Sequence, residues 1–246
     1  MATLLLKLSG PLQSWGSESR FAERKTRHEP TKSGIVGLLA AALGRRRTED
    51  VSDLASLKLA VRVDQAGDYQ RDFQSAHTRK YDKDNQEWVF DKAMPLSNRY
   101  YLSDAVFVVG LEGDASLLME CAYALDHPCF PLYLGRRSCP PSGRLLLAYL
   151  EDKGLKEAIS AWPWEASPKN RRAHYHAVKE LPLVRDVTCD DSGNEMREVV
   201  RDVPVSFSPE HRQYSWRTVV RDIVTVSNPN YQPEHDPISA IEEAAR

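Results

Sequence analysis

An α+β fold is predicted for this chain by three observations. Apolar runs of strand character recur along residues 1–150, two segments of helical period lie between them, and glycine, proline and aspartate punctuate the joins. The chain has 246 residues, enough for one large domain or two small ones. Hydrophobic residues make up 41% of it and charged residues 28%, so a core can be buried without disulfides or metals.

Residues 3–8 alternate weakly and read as a first strand, ended by Ser9-Gly10-Pro11. Pro30-Thr31-Lys32-Ser33 opens a helix in which Ile35, Leu38, Leu39 and Ala42 share a face, with Gly44 as its stop. A second strand is expected at 59–64. A third falls at 105–111, where β-branched and aromatic residues dominate. Asp114 then caps a helix whose Leu117, Leu118, Cys121, Ala122 and Leu125 lie on one side, and a fourth strand falls near 145–150. The order strand, helix, strand, strand, helix, strand is the split βαβ plan of ferredoxin-like and RNA-recognition domains, which residues 1–150 are expected to form. The gap at about 66–103 is too long for a plain loop. Alternation around Trp88-Val89-Phe90 and a turn signal at Asp82-Lys83-Asp84-Asn85 make it a projecting β-hairpin inserted in that domain.

Beyond Glu151 the composition shifts. Trp162-Pro163-Trp164 and Ser167-Pro168-Lys169-Asn170-Arg171-Arg172 read as loop. Strands are expected at 180–187, 197–207 and 216–226, the first two joined by a turn at 190–194, so 151–226 is read as a small β-rich C-terminal region. In the tail, 227–246, Asp236 and Pro237 are suited to start a short helix.

Several motifs carry candidate chemistry. Gly135-Arg136-Arg137-Ser138 follows Pro131-Leu132-Tyr133-Leu134: glycine lets a backbone approach a phosphate, and paired arginines offer forked donors to its oxygens. A solvated surface turn explains the same residues equally well. Pro30-Thr31-Lys32-Ser33-Gly34 sets Lys32 and two hydroxyls at a helix N-terminus, where free N–H groups favour an anion, although an ordinary cap looks the same and P-loop spacing is absent. Basic residues cluster at Arg20, Arg24, Lys25 and Arg27, at Arg45-Arg46-Arg47, and at Lys169-Asn170-Arg171-Arg172, as solvated faces commonly do. In and beside the hairpin, His77, Arg79, Arg99, Tyr100 and Tyr101 mix cations with rings, which suits single-stranded RNA by stacking and cation–π contact. The aromatic signature of a standard RNA-recognition sheet is missing, so readout would fall to loops.

Charge narrows the class. A net charge of −2 and a pI of about 6.4 exclude a free-standing basic nucleic-acid binder; any RNA contact comes from local patches, and the remaining surface suits protein partners. Cys121, Cys129, Cys139 and Cys189 fit no zinc spacing and point to reduced thiols. The N-terminal apolar run is too short for a signal peptide or membrane span, so a soluble cytoplasmic protein without membrane association is expected. No cofactor is implied. His28, His77, His127, His174 and His176 are scattered, and only His127, Cys129 and Cys139 offer a conceivable metal group. A metal-free ribonuclease needs a base, an acid and a cation, for which His77, Lys80 and Tyr81 are the local candidates.

Three blocks carry a resemblance: Gly10-Pro11-Leu12-Gln13-Ser14-Trp15-Gly16, then residues 30–44 from Pro30 to Gly44, then Tyr133-Leu134-Gly135-Arg136-Arg137-Ser138-Cys139-Pro140. Ala60-Val61-Arg62-Val63-Asp64 and Arg201-Asp202-Val203-Pro204 agree more weakly. Together they resemble the signature blocks of the fifth CRISPR-associated (Cas) family in its subtype I-E, or CasD, branch; residues 151–179 and the tail beyond 227 match nothing in it. The resemblance implies a ferredoxin-like domain with a protruding hairpin thumb and a small C-terminal β-rich part. It implies a non-catalytic subunit that caps one end of the Cascade complex and holds the 5′ handle of the CRISPR RNA. Thr31, Lys32, Ser33, Tyr133, Arg136, Arg137 and Ser138 become handle contacts, and Gln13 and Trp15 shape the same site. Arg99 near the thumb base is a further contact, and the thumb, which carries the RNA-binding candidates His77 and Arg79, would reach a neighbouring CasC subunit and the RNA passing beneath it. Implied partners are the CRISPR RNA, CasC backbone subunits, the large subunit CasA and, through the complex, target DNA. Two alternatives stay open: a metal-independent endoribonuclease for repeat RNA, like subtype I-C members, and a purely structural adaptor.

Overall fold

A strand of Ala and Leu with a single lysine can be buried on both faces only if helices cover the sheet twice. Residues 2–9 are such a strand: Leu4, Leu6 and Leu8 enter one core layer and Leu5 the other, which is why the alternation in the sequence is weak. The computed structural model describes residues 1–16, 19–20, 22–188, 191 and 195–231; the tail helix and most of the 190–194 turn lie outside the described residues. In chain order the elements are β1 (Ala2–Ser9), β2 (Leu12–Gln13), β3 (Ser19–Arg20), β4 (Glu23–Arg24), α1 (Lys32–Ala42), α2 (Ser52–Ser56), β5 (Lys58–Gln65), β6 (Asp68–Gln74), β7 (His77–Asp82) and β8 (Glu87–Ala93). There follow β9 (Ser97–Ser103), β10 (Val106–Gly113), α3 (Ala115–Asp126), β11 (Leu146–Glu151), α4 (Leu155–Ala161), α5 (Pro168–Arg172), β12 (Val178–Asp186), β13 (Arg197–Ser206) and β14 (Gln213–Ser227).

The main sheet has seven strands in the order β11-β1-β10-β5-β12-β14-β13. β1 pairs antiparallel with β10 from Ala2↔Gly113 to Ser9↔Val106. Helices α1 and α3 cover one face, burying Ile35, Leu39, Leu118 and Leu125 against Leu4, Leu6, Phe107 and Val109. Helix α4 covers the other with Leu155, Ala158 and Ile159 against Leu5, Val108 and Leu183. Both long helices start as the sequence suggests: the Thr31 hydroxyl accepts the Gly34 N–H, and the Asp114 carboxylate accepts the Leu117 N–H.

Residues 178–227 do not form a sheet of their own. β12 pairs with β5 through Leu183↔Arg62, Val184↔Val61 and Arg185↔Ala60, so β12, β14 and β13 continue the main sheet. Two short helices also stand where the sequence reads as featureless. α4 has no side-chain cap, and α5 falls within the stretch read as loop; there Ser167 Oγ accepts the Asn170 N–H and Pro168 occupies the first turn.

The long gap is a two-tiered hairpin. β6 pairs with β9 from Asp68↔Ser103 to Gln74↔Ser97, and β7 pairs with β8 beyond them, from His77↔Ala93 to Asp82↔Glu87. At the tip, the Asp82 carboxylate accepts the Asp84 N–H and the Asn85 amide, and Gln86 takes φ of 56°. At its base, β9 is also flanked by β2 and by β4, with β3 outermost, making a second sheet.

Arg62, fully buried on β5, ties the second core layer together. It makes a bidentate pair with Asp64 (2.7 and 2.8 Å) and donates to the carbonyls of Ile159, Trp162 and Pro163 at 2.6–2.7 Å. The Asp64 carboxylate in turn accepts the Glu165 N–H (2.6 Å). This accounts for the Arg-Val-Asp block: its two charged residues face a helix terminus rather than solvent. Replacing Arg62 by Leu leaves Asp64 buried without its partner and is expected to cost about 3–5 kcal/mol of unfolding free energy in urea titration, with Arg62→Leu/Asp64→Leu recovering part of the loss.

Candidate nucleic-acid interface

The loop at residues 133–139 is rigid because its ends are buried and its turn needs glycine. Leu134 and Cys139 lie in the core, and their backbones pair: Leu134 N–H to Cys139 O (2.7 Å), with Cys139 N–H to Arg136 O (2.9 Å). Gly135 has φ of +84°, and a Cβ there would sit 1.8 Å from the Ser14 carbonyl oxygen. The main chain therefore passes directly over Ser14, whose N–H donates to Leu134 O (3.1 Å), and turns Arg137 and Ser138 outward while Arg136 stays half-buried. Burial pushes the Cys139 thiol up, which keeps this loop sulfur unreactive.

Arg136 is held by one arm of its fork and by the face of its guanidinium plane. Nη2 donates to the Arg24 carbonyl (2.7 Å) on β4, and the guanidinium carbon lies 4.8 Å from the centroid of the buried Tyr101 ring on β9. Parallel pairing sets Arg24 opposite Arg99. Four residues widely spaced in sequence, Arg24, Arg99, Tyr101 and Arg136, are thus gathered where the second sheet meets the arginine loop. Arg99 Nε and Arg136 Nη1 are buried and, among the described residues, have no hydrogen-bond partner. A buried donor without an acceptor costs about 1–3 kcal/mol, more when it is charged, so an anion reaching this patch relieves a penalty as well as gaining a bond. Arg137 and Ser138 are exposed beside it and Tyr133 is half-buried.

Gln13 and Trp15 lie beneath this surface. Both are fully buried, with their polar atoms spent internally: Gln13 Nε2 donates to the carbonyls of Leu8 (3.2 Å) and Ala105 (2.7 Å), and Trp15 Nε1 donates to Gln13 Oε1 (3.1 Å). The Trp15 ring packs against two glycines. A Cβ at Gly34 would meet it at 2.8 Å and one at Gly135 at 3.6 Å. The pair therefore positions α1 against the arginine loop and does not itself face a ligand.

The start of α1, expected to attract an anion, already holds one. Asp202 of β13 accepts the Lys32 N–H (2.8 Å), and Lys32 Nζ is paired with Asp186 of β12 (3.1 Å). Arg217 of β14 closes the group, with Nε and Nη2 on Asp202 (2.7 and 2.9 Å) and Nη1 on Asp186. Lys32 and Thr31 are buried, so an incoming phosphate meets an internal carboxylate in their place; only Ser33, half-exposed, adjoins the surface. Burial opposes ionisation of Asp202, but Arg217 and the Lys32 N–H together hold its carboxyl below the ordinary range. Asp186, Asp202 and Arg217 are the residues that reading the sequence missed as a group. The signal available was a charged residue at each of three strand positions otherwise suited to the core.

On the outer hairpin, Arg79 lies 5.2 Å over the Phe90 ring, His77 packs on the same ring (5.4 Å between centroids) and Tyr81 meets Trp88 edge-on. Lys80 is paired opposite Val89 and, by strand alternation, points to the other face from Arg79 and Tyr81. The proposed base, acid and cation do not converge. The conceivable metal group is likewise dispersed: Cys129 packs against Gly44 while Cys139 sits in the arginine loop, and among the described residues no three His, Cys, Asp or Glu side chains are grouped as ligands. Arg45 is spent on a bidentate pair with Asp53 (2.6 and 2.5 Å), and nothing is described of the Arg20 side chain.

The fold is that of CRISPR-associated proteins. A chain of a solved "CRISPR RNA-guided surveillance complex" superposes with a TM-score of 0.73 at 29% identity, covering 98% of both chains. A second structure, "Crystal structure of Cas protein", gives a TM-score of 0.65 at 39% identity over 93% of this chain and 97% of that one. The sequence model of the family described as CRISPR-associated protein (Cas_Cas5) matches residues 3–220, and the chain belongs to that family. It is also 29% identical over 228 residues to "CRISPR system Cascade subunit CasD" of Escherichia coli (strain K12), covering 87% of this chain and 92% of that protein.

Two outcomes are expected at this site. Gly135→Ala should move the arginine loop off Ser14 and lower stability by about 1–3 kcal/mol, read as a fall in Tm. Because the Asp202 carboxyl is depressed in the folded chain, its network stabilises fully above the ordinary carboxylate range near pH 4 and is lost as pH falls through the depressed value. Urea unfolding of Asp202→Asn should show a deficit at pH 7 that shrinks at about pH 3.

Proposed function

We propose that this chain is a CasD-type subunit of a CRISPR RNA-guided surveillance complex, and that it binds and anchors the 5′ handle of the CRISPR RNA without cutting it. The observation that carries the proposal is the patch of Arg99, Arg136 and Tyr101, where two buried guanidinium donors lack acceptors beside the exposed Arg137 and Ser138. Phosphates and unpaired bases supply what such a patch takes: acceptor oxygens for the forks and flat rings for the guanidinium planes and the half-buried Tyr133. The contacts fall on Arg99, Tyr133, Arg136, Arg137 and Ser138, with Ser33 at the margin. Gln13, Trp15, Thr31 and Lys32 act from below by holding the loop and α1 in place.

The strand order β11-β1-β10-β5, with α1 and α3 on one face, supports a ferredoxin-like reading of residues 1–150. The β6–β9 and β7–β8 tiers serve as the thumb, set to reach a CasC backbone subunit and the RNA beneath it through His77 and Arg79. The β-rich region at 151–226 and the remaining surface serve contacts with protein subunits, CasA among them, and target DNA is met through the complex. No described helix is long and apolar enough to cross a membrane, in keeping with a cytoplasmic assembly.

The test is a gel assay of the purified chain with labelled repeat-derived RNA, in chelator, over a salt series. Binding without cleavage is expected. Arg136→Ala with Arg137→Ala should weaken it by about 3–6 kcal/mol, since charge-assisted bonds contribute about 1.5–3 kcal/mol each. The log–log salt slope should also fall by about 1.4, from two fewer phosphate contacts to a single strand. Unchanged affinity in that variant would place the site elsewhere, and specific cleavage would establish the endoribonuclease reading.

A further inference from the structure

The C-terminal hairpin β13–β14 sorts its charges by face. On the face towards α1, Asp202 meets Arg217 and Glu198 accepts Arg221 Nε (2.8 Å), so the carboxylates of β13 are neutralised there. Alternation sends Arg197, Val199 and Arg201 to the opposite face, where register sets Thr218 across from Val199 and Trp216 across from Arg201. Trp216 is 63% exposed and Val199 61% exposed. The Arg201 guanidinium lies 5.8 Å from the Trp216 ring centroid and is fixed by a bond from Nε to the Tyr214 carbonyl (3.2 Å). Glu195, at 4.0 Å from Arg197, is the near carboxylate, while Asp222 lies further along β14 and pairs with Lys156 (3.4 Å). β13 is the terminal strand of the sheet, so no further strand flanks this face on its outer side.

We propose that this face is a second nucleic-acid contact, a stacking platform on Trp216 for unpaired nucleotides of a single strand, separate from the arginine loop. The occupant must offer a flat π surface and negative charge together. An acidic peptide answers the arginines and leaves the indole wet; an apolar protein surface answers Trp216 and Val199 and desolvates the Arg197 and Arg201 guanidiniums while giving their remaining N–H groups no acceptor. A base with its phosphates answers both, the ring on Trp216 and the oxygens on Arg197 and Arg201. Sequence preference is weak, because every base has a π face and stacking on Trp216 does not distinguish base edges.

The experiment uses the full chain carrying Arg136→Ala and Arg137→Ala, so that the arginine loop contributes little, and follows the anisotropy of a labelled oligouridine of about twelve nucleotides. Trp216→Ala added to this background is expected to weaken binding about tenfold, Trp216→Phe only a few-fold, and Arg201→Gln to reduce the salt slope. The exposed position of Trp216 leaves the fold intact, which far-UV circular dichroism and Tm check. Oligouridine binding that is absent in the background chain, or unchanged by Trp216→Ala, overturns the proposal. Loss of assembly with protein subunits on Trp216→Ala, with oligouridine binding intact, also overturns it and makes the face a protein interface. Either failure leaves handle binding at the arginine loop untouched, since that is measured on the chain with both loop arginines present.

Discussion

The Arg217 guanidinium, bonded at once to Asp186 and Asp202, is the interaction on which the arrangement of this molecule turns. Its two acidic partners do not stop at Arg217. Asp202 takes the first N–H of α1, and Asp186 takes both the Lys32 ammonium and the Leu59 N–H at 3.0 Å on β5. One network therefore fixes five elements: α1, β5, β12, β13 and β14. Buried pairs of this kind give little net stability over a well-packed apolar replacement, because desolvation cancels most of the attraction. What they supply here is register. A slip of any one strand by a single residue would turn its charged member to the opposite face and leave two others buried and unpaired.

From that network the order passes outward through contacts rather than through the chain. α1, once seated, presents Gly34 to the Trp15 ring; Trp15 is held by Gln13, whose amide reaches β1 and the start of β10; and the same ring lies against Gly135. Glycine at both positions is a matter of clearance, since a methyl group at either would enter the ring or the Ser14 carbonyl. The arginine loop thus inherits its placement from the core, so that the ligand proposed above would meet cations that need little further ordering. Pre-organisation of that sort lowers the entropic cost of binding without adding a contact.

What could be read in advance follows from range. Strand and helix positions came through to within a few residues because they rest on local period and capping: β1, α1, β5, β10, α3 and β11 fall where the pattern puts them, and the oversized gap does hold a hairpin. The continuation of the sheet from β5 into β12 was not legible, since it depends on residues 62 and 183 meeting, and nothing local to either announces the other. The α1 terminus shows the same limit in reverse. Thr31, Lys32 and Ser33 announce a place for an anion, and an anion is there, but the chain supplies it from Asp202, 170 residues away. Gln13 and Trp15 stand out in sequence as part of the Gly-Pro-Leu-Gln-Ser-Trp-Gly block, but that they pack beneath the arginine loop, with their polar atoms satisfied by each other and by the carbonyls of Leu8 and Ala105, is a fact of packing alone.

The near-neutral total charge takes its meaning from the same pairing. Lys32, Arg62, Arg185 and Arg217 are matched internally by Asp186, Asp64, Asp191 and Asp202, so these cations and carboxylates cancel in the interior and leave the balance of the surface unchanged. A surface with a net charge of −2 gives no long-range attraction to a polyanion. The RNA binding proposed above is then short-ranged and local, and within a Debye length of about 8 Å at physiological salt the number that counts is the cations in one patch. Arg99, Arg136 and Arg137 meet that requirement where the second sheet joins the loop, and Arg197 and Arg201 meet it on the C-terminal hairpin. On the reading proposed above, neighbouring subunits that bring the strand within reach strengthen its binding, because tethering raises the effective concentration at each patch without any new contact.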